Sequence, residues 1–161
     1  MSDGDTQKQL AAALGRVPSG LYILTASDGV HETGMLVSWV MQAGFEPPSV
    51  TVALKKGRYV NDWLTEGAVF VLNILDADQT DMVAHFGRGF GRGEPAFANL
   101  DIDRAPGRPP VLKEALGFLE CRVLVRHSLT DHDVLIAQIA AGKMLGEGQP
   151  MVHVRKNGLH Y

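Results

Sequence analysis

The chain is a succession of short segments rich in Val, Ile, Leu and aromatic residues, separated by Gly, Pro, Asp and Asn. Such segments, bounded by turn residues, are typical of β-strands. The predicted strands are residues 20–27, 30–43, 49–54, 68–75, 116–129, 132–145 and 151–156. Asp28-Gly29 predicts a hairpin turn, and Asn157-Gly158 a final tight turn.

Helices contribute little to this pattern. Helical spacing of apolar residues is confined to residues 4–14, 57–66 and 78–86. Strands and helices do not alternate, which argues against a parallel α/β fold. We therefore expect a mainly β protein, a closed or half-closed antiparallel barrel with a few flanking helices, with residues 1–161 forming one domain.

Composition excludes several classes of function. The net charge is -3, whereas a nucleic-acid-binding domain usually has a basic excess. No apolar run approaches the roughly 20 residues that span a bilayer, and the first ten residues are polar and acidic, unlike a signal peptide. Cys121 is the only cysteine and lies in a predicted strand, where we expect a small buried hydrophobe. These features predict a cytoplasmic protein.

Motifs for catalysis by the chain alone are missing. The segment GRGFGRG (87–93) resembles a dinucleotide fingerprint, but it follows a helix rather than a strand and lacks the third glycine. A surface loop is the main interpretation, with an RNA contact as a minor alternative. The six histidines show no metal-ligand spacing, and no GxSxG motif is present. We therefore expect a bound organic cofactor to supply the chemistry.

One strand carries polar residues that a buried strand does not need. In GMLVSWVMQAGFEPPSVTVAL (34–54), Ser38 and Gln42 interrupt an apolar run that breaks at Pro47-Pro48. If this strand lines a pocket, Leu36, Trp39 and Met41 would contact a planar ring and Ser38 would hydrogen-bond its edge. Each polar ring atom left unpaired would cost about 1–3 kcal/mol. The alternative is that Ser38 and Gln42 simply face solvent at alternate positions.

Two further segments carry charge. Lys55-Lys56-Gly57-Arg58-Tyr59 lies at the start of a predicted helix and predicts an anion site suited to a phosphate. Thr130-Asp131-His132-Asp133 lies in a predicted turn, where either aspartate would orient the His132 imidazole and favour its protonated form. Ordinary hairpin chemistry explains the second segment equally well.

These segments, in this order, resemble the flavin reductase-like, FMN-binding split-barrel family. The resemblance extends from about Leu14 to Tyr161, with landmarks GMLVSWVMQAGFEPPSVTVALKKGRY, FVLNIL, HFGRGF, PPVLKEALGFLECRV and TDHDVLIAQI. MLVSWVMQAGFEPP and the closing VRKNGLHY are similar to the reductase-like C-terminal domain of diflavin flavoproteins.

The resemblance implies an FMN-binding NAD(P)H:flavin oxidoreductase that transfers hydride from NADH or NADPH to flavin and passes reduced flavin or electrons to an oxygenase or other acceptor. FAD in place of FMN is possible. It also implies a homodimer with each flavin near the subunit interface. The implied flavin-binding residues, with Gln42 added from the strand pattern, are Leu36, Val37, Ser38, Trp39, Gln42, Ala53, Leu54, Lys55, Arg58, Tyr59 and Phe86. His132 would lie beside the nicotinamide, as in the family's Gly-Asp-His motif.

Two departures from the family pattern affect these expectations. Leu36 and Ser38-Trp39 stand where many reductases have Thr and Asn-Ser, so backbone groups would make more of the ring contacts. Thr130 replaces the glycine of Gly-Asp-His, and Ala137 a later glycine, which would alter nicotinamide access. The alternatives are a flavin-bound electron-carrier domain without NAD(P)H activity, and a haem-binding or non-catalytic split barrel.

Overall fold

The computed structural model describes residues 3–160. The strands are β1 (Ser19–Gly20), β2 (Tyr22–Ser27), β3 (Glu32–Val37), β4 (Val40–Phe45), β5 (Pro48–Lys55), β6 (Val69–Ile74), β7 (Ile102–Ala105), β8 (Arg108–Leu112), β9 (Gly117–Ser128), β10 (His132–Met144) and β11 (Val152–His153). The helices are α1 (Asp3–Gly15), α2 (Val60–Trp63) and α3 (Thr80–Gly87). The expectation of a mainly β fold with few helices is confirmed. None of these helices has the length and apolar character needed to cross a bilayer.

Seven strands form one antiparallel sheet in the order β3-β2-β6-β9-β10-β5-β4. Its two edge strands, β3 and β4, are consecutive in the chain and are joined only by Ser38 and Trp39. Three steps between Cα atoms reach at most about 11 Å, so the sheet must curl until its edges lie close together. Within residues 3–160 no ladder joins β3 to β4, and the curled sheet is therefore split along this line.

This split explains why the single strand predicted for residues 30–43 is wrong. The chain leaves one edge of the sheet at Val37 and enters the opposite edge at Val40. The backbone N–H of Ala53 donates to the Trp39 carbonyl (2.9 Å), which holds the crossing against β5. Pro47 lies instead in the two-residue turn of the β4–β5 hairpin, and Pro48 is the first residue of β5, so the bend that matters for the site is Ser38-Trp39.

The helix predicted for residues 57–66 is also shorter than expected. It is reduced to the four residues of α2, because Leu64 leaves helical geometry (φ -94°, ψ 52°). The Gly67 N–H then donates to the Val123 carbonyl (2.8 Å), which returns the chain to the sheet. Gly67 has a φ of +86°, a conformation that glycine adopts at little cost.

Two hydrophobic clusters lie on the two faces of the sheet. One is built from β2, β5, β6, β9 and β10, with Leu24, Val52, Phe70, Leu72 and Leu135 almost completely buried. The other packs α3 against the outer face, with Ile23, Leu75 and Phe86 at its centre. Each fully buried side chain of this size contributes about 1.5–3 kcal/mol, so the second cluster fixes α3 over β3.

The C-terminal strap, residues 153–160, is fixed to the first helix. The Arg155 N–H donates to the Gly15 carbonyl (3.0 Å), and the Gly158 N–H donates to the Ala11 carbonyl (2.7 Å). The predicted tight turn at Asn157-Gly158 is present, since the Leu159 N–H donates to Asn157 Oδ1 (2.8 Å). The strap therefore has a defined position relative to the sheet.

Candidate functional site

A cavity of about 680 Å³ opens at the split between β3 and β4. Four elements form its walls: the β3–β4 bend, the end of β5 with the turn after it, α3, and the C-terminal strap. The lining residues are Leu21, Met35, Leu36, Val37, Ser38, Trp39, Ala53, Leu54, Lys55, Arg58, Val83, Phe86, Gly87, His153, Val154, Arg155, Lys156, Asn157 and His160. Its volume falls within the roughly 300–1,000 Å³ typical of small-molecule sites.

Most of the flavin-binding residues expected from the sequence lie in this lining. They are Leu36, Val37, Ser38, Trp39, Ala53, Leu54, Lys55, Arg58 and Phe86. Ser38 at the bend and Lys55 at the end of β5 thus share one hollow, although 16 positions separate them in the chain. The curled sheet brings them together, because β4 returns along β5.

Three residues expected to contact the flavin, Met41, Gln42 and Tyr59, lie outside the cavity lining. Met41 is 65% exposed on β4, because its strand position faces away from the cavity, so the ring contact expected of it is wrong. Gln42 is exposed on β4, where its side-chain amide donates to the Gly44 carbonyl of the same strand (3.5 Å). The solvent-facing alternative therefore describes Gln42, but not Ser38. Tyr59 donates to the Thr33 hydroxyl (3.1 Å) and packs edge-on against Trp63, so its ring supports the first turn of α2 from behind.

His132 lies behind the lining rather than in it. It is 7% exposed, and its ring centroid is 4.8 Å from that of Trp39, which does line the cavity. Its Nδ1 is 3.1 Å from Asp131 Oδ2, and this contact holds the pKa of the Asp131 carboxyl below its usual value. Of the two aspartates considered from the sequence, Asp131 therefore orients the imidazole.

The second aspartate has a different role. Asp133 is buried and accepts from Arg126 Nη2 at 2.6 Å. Burial raises the pKa of Asp133, but hydrogen bonds from Arg126 and Ser128 and the Arg126 charge outweigh it, so the net pKa is lowered. The pair fixes the β9–β10 end next to Lys55, whose Cα partner in the ladder is His132.

The cavity is strongly cationic although the chain as a whole is acidic. Lys55, Arg58, Arg155 and Lys156 line it, and no aspartate or glutamate does within the described part of the chain, residues 3–160. Asn61 Nδ2 donates to the Lys55 carbonyl (2.9 Å), which fixes the backbone where the first two cations emerge. A concentration of positive charge favours anions, and the anion site expected for residues 55–59 stays a prediction.

The apolar wall depends on close packing between β3 and α3. A Cβ on Gly34 would lie 2.6 Å from Phe86 Cε1, so only glycine allows Phe86 to approach the strand. Phe86 is also in ring contact with His85, Phe90 and Phe97. The 87–93 segment thus packs through Phe90, and its arginines pair with carboxylates of the chain, Arg88 with Glu94 and Arg92 with Asp28.

Sequence reasoning missed the contribution of the C-terminal strap. His153, Val154, Arg155, Lys156, Asn157 and His160 all line the cavity. The Arg155 guanidinium carbon is 5.0 Å from the centroid of the Trp39 ring, a cation–π distance. The two cations of Val154-Arg155-Lys156 could have suggested a role in anion binding, but only the fold shows that this segment reaches the β3–β4 bend.

A curled antiparallel sheet, split at a polar bend and opening onto an apolar and cationic cavity, defines a flavin reductase-like domain. The family model described as "Flavin reductase like domain" matches residues 14–158, and the chain belongs to this family. The family resemblance predicted from the sequence is confirmed. Nothing among residues 3–160 groups three or more His, Cys, Asp or Glu side chains in a way that could hold a metal ion.

Among curated proteins, the chain is similar to part of the diflavin flavoproteins. Diflavin flavoprotein A 1 of Synechocystis sp. is 39% identical over 161 residues, which are 99% of this chain and 27% of that protein. The chain thus spans about a quarter of the length of the curated relatives that it matches.

Solved structures agree with the fold. The NADH:FAD oxidoreductase SgcE6 of Streptomyces globisporus C-1027 superposes with a TM-score of 0.84 at 21% identity, covering 96% of this chain and 92% of that one. The same protein has also been solved with NAD and FAD fragments, with a TM-score of 0.81. The styrene monooxygenase flavin reductase of Pseudomonas putida S12 has a TM-score of 0.74 at 26% identity, covering 89% of this chain and 90% of that one.

Proposed function

We propose that the protein binds FMN in the cavity at the β3–β4 bend and acts as an NAD(P)H:flavin oxidoreductase. The observation that carries the proposal is the shared hollow of Ser38 and Lys55, an apolar strand wall with a cationic end. Bound flavin would supply the hydride-accepting chemistry that no side chain of the cavity has. The chain's own residues bind, orient and shield it.

The residues of the cavity fit a flavin mononucleotide. Leu36, Val37 and Phe86 offer apolar surface for a planar ring, and each Å² of apolar area removed from water contributes about 25 cal/mol. Ser38 and the backbone groups of the bend offer polar partners for the ring edge. Lys55 and Arg58 suit a phosphate monoester, because charge-assisted hydrogen bonds are the stronger kind.

His132 is proposed to act as a positioning residue. Its imidazole, oriented by Asp131, packs against Trp39, and Trp39 lines the cavity. In this arrangement the histidine fixes the indole that borders the place of the nicotinamide. That role differs from direct contact with the nicotinamide, which the family motif implied.

The names of two solved neighbours support a reductase. Two of the solved neighbours are named flavin reductase or NADH:FAD oxidoreductase, and one of them was solved with NAD and FAD fragments. The match to the diflavin flavoprotein covers only 27% of that protein, so the matched region is one part of a longer chain. The competing function is therefore an electron-carrier domain that has no NAD(P)H activity of its own.

Anaerobic reduction separates the two functions. The flavin-loaded protein is mixed with NADH or NADPH, and the visible flavin absorbance is followed. Bleaching within seconds with either nucleotide supports the reductase. An unchanged spectrum, in a sample that dithionite bleaches fully, would overturn the reductase and leave the carrier domain. A preparation that binds no flavin would overturn both.

We further propose that the protein is a homodimer. Val125, Ile136, Thr51 and Met41 lie in one row across β9, β10, β5 and β4, because each is the register partner of the next. Val125, Ile136 and Met41 are 44%, 38% and 65% exposed, which is unusual for aligned apolar residues on one sheet face. Ile136→Glu is expected to give monomers in sedimentation experiments, whereas Val30→Glu, at an exposed turn residue, leaves a dimer. A monomeric unsubstituted protein would refute this.

A further inference from the structure

The cavity carries more positive charge than one phosphate requires. Lys55 and Arg58 come from the end of β5, whereas Arg155 and Lys156 come from the C-terminal strap, about a hundred residues later. None of the ion pairs formed within residues 3–160 includes Arg58, Arg155 or Lys156. Among residues 3–160 no carboxylate side chain lines the cavity, so the cations gathered there repel one another, and a bound anion would relieve this repulsion.

Arg155 is held in place rather than free to move into solvent. Its backbone N–H donates to Gly15, and its guanidinium lies over the Trp39 ring, 5.0 Å from the centroid. The residue is half-buried. A cation–π contact uses the charge of a guanidinium but not its N–H donors, so these can still bind an anion.

A neighbouring pocket provides a contrast. The polar pocket behind the β5–α2 turn is also lined by cations, Lys56 and Arg126 among them. There Arg126 pairs with Asp133 and Lys56 Nζ donates to the Leu129 carbonyl, and the remaining cation, Arg58, is shared with the flavin cavity. The strap is therefore the place where cationic donors remain available next to the proposed flavin site.

We propose that Arg155 and Lys156 form a second anion subsite that binds the phosphates of a dinucleotide. This inference rests on the proposed function, because the first subsite, Lys55 with Arg58, takes the flavin phosphate. The chemistry recognised is a phosphate ester attached to an adenosine. Two sources share it: the adenylate half of FAD and the dinucleotide part of NAD(P)H.

Binding measurements on Arg155→Gln and Lys156→Gln test the inference. The matched control is Lys8→Gln, which removes an exposed cation of α1 outside the cavity. Dissociation constants are measured for riboflavin, FMN and FAD by flavin fluorescence, and for NADH, NADPH and ADP by titration calorimetry. ADP carries the phosphates and adenosine without either redox ring.

The pattern of affinity losses in the two strap variants shows whether FAD or NAD(P)H supplies the phosphates bound at the second subsite. If FAD is the ligand, the two strap variants lose about tenfold or more in FAD affinity, while FMN affinity changes less than about twofold. If NAD(P)H is the ligand, the loss falls on NADH and NADPH, and all flavins bind as before. In both cases ADP binding weakens in parallel, and Lys8→Gln behaves as the unsubstituted protein.

Arg155→Lys separates charge from geometry. It keeps the charge but loses the planar fork, so it should restore only part of the ADP affinity. Equal losses for riboflavin and FAD would mean that the strap only shapes the cavity, which would overturn the inference. Unchanged dinucleotide binding in both glutamine variants would overturn it as well, and normal FMN binding in those samples would leave the proposed function standing.

Discussion

The His132 imidazole packs on the Trp39 indole with ring centroids 4.8 Å apart and planes tilted by 33°. The Arg155 guanidinium approaches the same indole. Trp39 is thus in contact with one residue from β10 and one from the strap, and its own carbonyl is held by Ala53 of β5. A single side chain at the split therefore joins the elements on which the proposed nicotinamide site depends.

Replacing His132 with Ala is expected to raise the apparent KM for the nicotinamide several-fold and to leave flavin affinity nearly intact. The histidine supports Trp39 from behind and does not line the cavity, so its loss would disturb the nicotinamide side more than the ring wall. Steady-state kinetics and flavin titration measure the two effects. His127→Ala, an exposed histidine of β9, is the control. Equal losses of both affinities would show that the assigned role is wrong.

Gly34→Ala is expected to destabilise the protein by about 1–3 kcal/mol, because the new methyl group would overlap Phe86. Urea unfolding measures the change. Gly91→Ala is the control, since the nearest atom to its Cβ would lie 3.6 Å away. In combination with Phe86→Leu, the loss should be smaller than the sum of the two single losses. Simple additivity would contradict a direct contact.

Gly158→Ala is expected to loosen the strap from α1. Its Cβ would lie 2.1 Å from Leu14 Cβ, a distance that no packing tolerates, so the strap must move. Ligand affinity should fall several-fold, while the midpoint of urea unfolding changes little because few buried side chains belong to the strap. Gly146→Ala, with its nearest neighbour at 3.8 Å, should match the unsubstituted protein. Unchanged ligand affinity in Gly158→Ala would separate the strap from the site.

The Arg126–Asp133 pair predicts a loss of stability in acid. Because the folded-state pKa of Asp133 is lowered, its stabilising contribution is complete above the usual carboxyl pKa of about 3.9 and is lost as the pH falls below it. Asp133→Asn should be less stable than the unsubstituted protein at pH 7, and the difference should shrink towards pH 3. Urea unfolding across this range measures it. A difference that is constant with pH would contradict the assignment.

Cys121 is expected to resist thiol reagents in the folded protein. It is fully buried, and burial together with the nearby Glu120 charge raises its pKa to about 12. At neutral pH the reactive thiolate is therefore scarce as well as inaccessible. Labelling should be slow in buffer and fast in denaturant. Fast labelling of the native protein would contradict the burial.

Sequence patterns predicted local features well where the residue type itself decides the conformation or the burial. The Asp28-Gly29 turn is present, with Asp28 Oδ1 accepting from the backbone of Val30 and His31 and Gly29 at a φ of +91°. The burial expected for Cys121 is also confirmed. Both features depend on local chemistry, which the sequence contains directly.

The site itself was predictable only in part. Ser38 and Lys55 belong to one continuous motif, so their proximity follows from a hairpin and a short crossing. The strap reaches the cavity only because β11 pairs with β1 and its backbone bonds to α1, contacts between the two ends of the chain that no local pattern specifies. The break of residues 30–43 into two edge strands likewise follows from the curling of the whole sheet and not from a local sequence pattern.

A crystal structure of the protein grown with FMN would show whether the flavin binds at the β3–β4 bend. We expect ring density along Leu36–Ser38 beside Trp39, with the phosphate within hydrogen-bond distance of Lys55 or Arg58. Flavin density on the exposed β4–β5 hairpin, or in a cavity that Ser38 and Lys55 do not share, would contradict it.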